Sequence, residues 1–163
     1  MTDLPDEMFL VAPDGGDTAT LSFSRSPTVL LTFAANRFTR NASRYYQDHF
    51  GIGAMDWRML VMLTRAPGCS AAQASRTIGI DKAAVSRSLA RLENSGLAFA
   101  ESEGNDERRK NWTLTPKGRD LHDRILKTAL ERQKELLSGF SPQEVTEFTG
   151  HLRRLLENLD RLA

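Results

Sequence analysis

The stretch from Ser70 to Gly96, SAAQASRTIGIDKAAVSRSLARLENSG, limits the possible folds more than any other part of the chain. Ser70 and Gln73 make an S-x-x-Q capping box ahead of a short run, AAQASRTI. Ala71, Ala74 and Ile78 lie at helical spacing within that run and mark its inner face. Gly79 suits a tight turn, and Asp81 can cap the next run, KAAVSRSLARLENS. Gly96 closes that run in the place just past a helix end where a left-handed residue is wanted. Two short helices, each with its own cap and joined by GI, form a helix-turn-helix.

After Gly96 the period changes. Leu97 and Phe99 precede the charged knot GNDERRK, and Trp112 and Leu114 come after it. Two short period-two runs around a Gly-Asn-Asp loop predict a β-hairpin, and a helix-turn-helix followed by a hairpin is the winged variant. Long helices flank this lobe. Ser26-Pro27 is a cap with proline at N1, after which Leu31, Ala34, Phe38, Ala42 and Tyr45 share one face until GIG at 51–53. MDWRMLVMLTRA comes next, with Met55, Met59, Leu60, Met62 and Leu63 at helical spacing, stopped by Pro67-Gly68. Thr115-Pro116 caps a helix with Leu121, Ile125, Leu126, Ala129, Leu136 and Leu137 inward. Ser141-Pro142-Gln143-Glu144, a second capping box, starts another carrying Val145, Phe148, Leu152, Leu155, Leu156, Leu159 and Leu162. Residues 1–24 are acidic and glycine- and proline-bearing, which predicts a mobile arm. The expected fold is mainly α with a small two-stranded β-wing. Its parts are the arm 1–24, a first long helix 25–53, the winged lobe 54–115 and two C-terminal helices 116–163.

Projected at about 100° per residue, residues 82–95 put Val85, Leu89 and Leu92 on one face. The opposite face holds Ala83, Arg87, Ala90 and Arg91, flanked by Ala84 and Ser86. Small residues permit close approach to a surface, and arginines grip phosphates or guanine edges. A charged hairpin tip can reach an adjacent minor groove, where the negative potential favours arginine. Asp106 stands two residues before Arg108 and can brace that arginine or the loop. Total charge does not announce a nucleic-acid binder: 22 basic residues against 21 acidic leave +1. The distribution matters more, because residues 70–118 hold eight basic residues to six acidic, whereas the first 25 hold five acids against Arg25.

The order of these pieces resembles the MarR family of winged helix-turn-helix transcriptional regulators. The matching pieces are IGIDKAAVSR into the second short helix, RLENSGL into the wing, D-x-R-R at its tip, and LTPKG entering the next helix. The resemblance covers residues 70–118 closely and 27–163 more loosely. It implies a homodimer whose first helix and last two helices interleave across a two-fold axis, with a winged lobe at each corner. It also implies double-stranded DNA with an inverted-repeat operator as partner. Carried over, Ala83, Ala84, Ser86 and Arg87 face the major groove, and Lys82 and Arg91 the backbone or groove edge. Arg108 or Arg109 enters the minor groove, Asp106 braces the wing, and Ser70 and Lys110 complete the DNA-binding set. Many relatives carry a hydroxyl residue where this chain has Ala83-Ala84, which leaves methyl contact with thymine as the substitute for hydrogen-bond readout. Half-site centres are expected about one helical turn apart, ~34–36 Å.

Family members often release DNA when a small anionic or phenolic ligand binds, so repression relieved by such an effector is expected. Arg37, Arg40 and Arg44 fall in one stripe of the first helix, and Trp57 and Arg58 begin the second. Together they are the candidate cradle for an aromatic acid. The lone Cys69 reads as structural, and His49, His122 and His151 are scattered, so neither a disulfide, a metal site nor any cofactor is expected. No nucleophile with a neighbouring base, paired carboxylates or phosphate-binding glycine loop appears, so an enzyme is not expected. The acidic N-terminus lacks a secretory pattern, and no run approaches a membrane span; the expectation is a cytoplasmic protein. The competing reading is a protein-interaction adaptor or antirepressor on the same fold without DNA binding, suggested by the near-neutral charge and Ala83-Ala84.

Overall fold

The computed structural model describes residues 4–12, 16, 18–103 and 106–162, with side chains throughout except at 103 and 106–109. Two compact units emerge, Met1–Arg119 and Asp120–Ala163. In the first, a 3-10 turn (Asp6–Met8) leads to a two-residue antiparallel ladder of β1 (Leu10–Val11) and β2 (Thr20–Leu21). The described part of the acidic arm therefore carries its own secondary structure. An Arg25 Nη2 bond to the Leu10 carbonyl and an edge-on contact of Phe23 with Phe33 tie it to the rest of the unit.

Helix α1 (Pro27–Phe50) starts at Ser26 with proline at N1. The Ser26 hydroxyl does not cap it, pairing instead with Thr28 Oγ1 at 3.1 Å. The expected apolar face of α1 is covered only toward its C-terminal end. Ala42 and Tyr46 are buried, whereas Leu31, Ala34 and Phe38 are exposed, Phe38 by 54%. Tyr46 takes the inward place expected for Tyr45, which stacks on His49 at 4.0 Å between centroids.

Helix α2 (Ala54–Arg65) supplies the centre of the core through Met59, Leu60, Met62 and Leu63. It packs on α1 and on α4 (Lys82–Asn94). Between them α3 (Ala71–Ile78) runs from the Ser70 cap, whose hydroxyl accepts the Gln73 backbone N–H at 3.2 Å. Asp81 caps α4 in the same way, accepting the Ala84 N–H at 2.8 Å. Val85, Leu89 and Leu92 are buried as the projection requires.

The end of α4 sets up the wing. Gly96 takes φ 68°, and its N–H bonds the Glu93 carbonyl while the Leu97 N–H bonds that of Leu92. This is a Schellman closure. Because it absorbs Leu97 into the turn, strand β4 (Ala98–Glu103) starts one residue later than the sequence pattern suggests. Its inward positions are therefore Ala98 and Ala100, opposite Leu114 and Trp112 of β5 (Asp106–Leu114), and Phe99 is exposed. The sheet also has a third strand that the sequence did not signal. Strand β3 (Cys69–Ser70) pairs antiparallel with Trp112 and Asn111, giving the order β3-β5-β4.

Helix α5 (Pro116–Leu136) begins in a close joint within the first unit. Thr115 Oγ1 accepts the Gly118 N–H and donates to the Gly96 carbonyl, and Lys117 Nζ donates to the Ser95 carbonyl at 2.9 Å. A Cβ on Gly118 would lie 2.9 Å from the Leu97 carbonyl carbon and closer still to its oxygen, so glycine is required there. The second unit holds the rest of α5, where His122 and Ile125 are buried, and α6 (Pro142–Leu162). At the start of α6 the Ser141–Glu144 box closes reciprocally, with bonds of 3.2 and 2.7 Å. No residue of α6 is buried.

Candidate nucleic-acid interface

The burial of Val85, Leu89 and Leu92 turns the opposite side of α4 outward. Lys82, Ala83, Ser86, Arg87 and Ala90 are exposed there, and Ala84 is half-buried. Beside this face lies a groove of about 740 Å³ between α3, α4 and β5. Ser70, Lys82, Ser86 and Lys110, four of the residues expected to meet DNA, line it together. Lys110 is held over the wing's tryptophan, its Nζ 5.9 Å from the Trp112 ring centroid, a cation–π arrangement. Gln73, Arg76 and Asn111 line the same groove and were not singled out from sequence. Gln73 had been accounted for as a capping residue, yet only its backbone N–H bonds the Ser70 hydroxyl, which leaves its side chain on the groove. Asn111 needed the β5 register, which sequence alone does not supply.

Arg91, expected at the groove edge, is exposed and is also tied inward. Its Nη2 meets Asp56 Oδ1 at 2.6 Å and its Nε meets Oδ2 at 3.2 Å. Asp56 is 6% exposed in the first turn of α2 and also accepts the buried Ser88 hydroxyl at 2.5 Å. Hydrogen bonding to the Asp56 carboxylate, with its charge adding a smaller part, raises the Arg91 pKa above the ordinary value. Two of the donor groups of Arg91 are thus engaged by a buried carboxylate, while 53% of its side chain stays exposed. The side chains of Asp106, Arg108 and Arg109 lie outside the described residues; β5 places their backbone in the wing's outer part.

The five candidate effector residues divide. Arg40, Arg44 and Arg58 come together, with Asn36, Thr39 and Ser43, around an open groove between α1 and α2 of about 740 Å³. Arg58 Nη2 is fixed by the Thr39 hydroxyl at 3.0 Å. Trp57 is turned away onto Tyr46, with centroids 6.0 Å apart, and Arg37 does not line the groove. Cys69 is buried in β3, where desolvation raises its thiol pKa. Among the described residues there is no group of three or more His, Cys, Asp or Glu able to hold a metal ion, and no helix is long and apolar enough to cross a membrane.

This arrangement has counterparts among known proteins. The MarR family model matches residues 50–109, from the end of α1 into strand β5 of the wing. The crystal structure of a MarR/EmrR family transcriptional regulator from Acinetobacter sp. ADP1 superposes with a TM-score of 0.80. At 31% identity the match covers 86% of this chain and 99% of that one. The chain belongs to the MarR family. Its fold is the MarR winged helix, and that family and fold are those of transcriptional regulators. Another similar protein, the transcriptional activatory protein BadR of Rhodopseudomonas palustris, is 24% identical over 156 residues, 93% of this chain and 89% of its own. A Staphylococcus aureus MepR–DNA complex shares the fold at a TM-score of 0.71 and 21% identity, covering 85% of this chain and 99% of that one.

Proposed function

We propose that this MarR-family protein is a homodimeric, sequence-specific regulator that represses from an inverted-repeat operator and is released by a small aromatic or anionic effector. The observation carrying this reading is the outward face of α4. A small-residue start (Ala83, Ala84) and a cationic middle (Arg87) lie opposite a fully buried apolar face, next to a groove bearing Lys82 and Lys110. That combination suits a helix entering the major groove with phosphates gripped alongside. The MepR likeness, a complex with DNA, supports the same use of the fold. Dimerisation is supported by the exposed Leu156, Leu159 and Leu162 of α6 and by Leu31 and Phe38 of α1, which leave 37–84% of their surface uncovered in the single chain. For the effector, the groove of Arg40, Arg44 and Arg58 offers three cations to a carboxylate.

Selection from random duplexes at low salt, followed by footprinting on genomic fragments, tests the reading. Enrichment of one inverted repeat is expected, with affinity falling steeply as salt rises. Arg87→Ala is expected to weaken specific binding by about 1–3 kcal/mol and to relax preference at one base pair. Arg109→Ala is expected to weaken binding broadly. Recovery of no enriched sequence would favour the adaptor reading. A reporter carrying the selected repeat reads the sign of regulation, and activation, the role in BadR's name, would overturn the repressor part alone. Release of bound duplex by benzoate-like acids, lost in Arg44→Ala, tests the effector groove.

A further inference from the structure

The Asp56 cluster bears on how α4 meets DNA. Ser88 and Arg91 stand three residues apart, hence on one flank of α4, and both bond the same carboxylate on α2. The apolar packing of Val85, Leu89 and Leu92 sets the depth of α4 but resists sliding and rotation weakly, because dispersion attraction is non-directional. Three hydrogen bonds to one buried carboxylate are directional, and two come from a planar guanidinium that accepts one orientation. Arg87 lies one helical turn before Arg91 and Ala83 one turn before that, so a rotation of α4 carries all three together.

We propose that Asp56 is a positioning residue for DNA binding: with Ser88 it holds Arg91, half-exposed but bonded through Nε and Nη2, as a strut that fixes the rotation of α4, so that Arg87 and not Arg91 meets the DNA. This rests on the DNA-binding reading above. It assigns to Asp56 a part in binding although its carboxylate faces the interior, and it removes Arg91 from the residues that neutralise phosphate. The two roles differ in how affinity responds to salt, since each phosphate left without its cation lowers the slope of log K against log salt by about one.

The experiment uses the full chain and the duplex it selects, with affinity measured by fluorescence anisotropy over a salt series. The variants are Asp56→Asn, Arg91→Gln, Arg91→Lys, the Asp56→Asn/Arg91→Gln pair, and Arg87→Ala as the control that touches DNA. Circular dichroism checks that each is folded. Asp56→Asn and Arg91→Gln are expected to weaken binding by a similar factor, about tenfold, with the wild-type salt slope. The pair is expected to be no weaker than either alone, and Arg91→Lys to resemble Arg91→Gln, because an ammonium cannot reproduce the fork. Arg87→Ala is expected to lower the slope. The proposal is overturned if Arg91→Gln lowers the slope by about one, if Arg91→Lys binds like wild type, or if Asp56→Asn tightens binding by releasing Arg91 to a phosphate. Failure of the wild-type chain to select any duplex sinks the DNA-binding reading itself, and the inference with it; a selecting wild type with any of those three outcomes sinks the inference alone.

Discussion

The winged lobe and helix α6 use similar apolar residues to opposite effect. In the lobe, Met59, Leu60, Leu63, Val85, Leu89 and Leu92 are sealed from water, and the buried Asp56 carboxylate is bonded at both oxygens. In α6, Phe148, Leu156, Leu159 and Leu162 lie along a helix with no buried residue, Leu162 being 84% exposed. The lobe satisfies its own pattern. Helix α6 displays a pattern whose cover must come from elsewhere, and a second copy of the chain is the cover we propose. The difference shows that amphipathicity states how much apolar surface a helix must hide, not which molecule hides it.

The contrast is tested hardest inside the lobe. Gly118→Ala forces a methyl into the Leu97 peptide and is expected to cost about 3 kcal/mol or more, read as a lowered urea midpoint. Leu92→Ala is expected to cost about 3 kcal/mol at every protein concentration, because its cavity is internal. Leu156→Ala is expected to act through association, so its cost should appear as a thermal midpoint that depends on protein concentration, with sedimentation equilibrium reporting the weakened dimer. If both leucine variants behave alike, the contrast between the two regions is wrong. Gly150, inside α6, has nothing within 4 Å of the place a Cβ would take. Gly150→Ala is therefore expected to raise stability by about 0.8 kcal/mol through helix propensity alone. A loss instead would show that a partner approaches α6 at that point.

The smallest effect sits at the first turn of α6. Bonds from the Ser141 backbone N–H and hydroxyl hold the Glu144 carboxyl below its ordinary pKa. A lowered folded pKa means stabilisation that is fully present above the ordinary value near 4.5 and is lost as pH falls through the lower, folded value. Glu144→Gln is expected to remove a slight acid-side dependence of α6 helicity, followed by circular dichroism, and to leave neutral-pH DNA binding unchanged.

Much of the fold was legible in the sequence where a local rule acts alone. Ser70, Asp81, Gly96, Thr115 and Ser141 announce their helix ends because a cap involves only neighbours in the chain. The outward face of α4 was legible for the same reason. What escaped depends on a partner distant in sequence or on a signal too short to read. The phase of β4 was missed because the Schellman turn consumes Leu97 before alternation begins. Strand β3 was missed because two residues carry no period. The tie of the exposed Arg91 to Asp56 escaped because nothing near it in sequence reveals a carboxylate 35 residues away. The Ser88 bond to the same carboxylate carries no sequence signal for the same reason.

The joint between the end of α4 and the start of α5 has a mechanical meaning. Thr115 and Lys117 bond the Gly96 and Ser95 carbonyls and Gly118 abuts Leu97, so the joint couples the two helix ends as a fulcrum. From that fulcrum α4 extends as a lever of 13 residues, roughly 18 Å long. A tilt of about 5° at the fulcrum moves Lys82 at the far tip by roughly 1.5 Å, about half a hydrogen-bond length. The far end of that lever lies among the residues proposed to read DNA, so a small displacement at the start of α5 is felt most where that reading would take place.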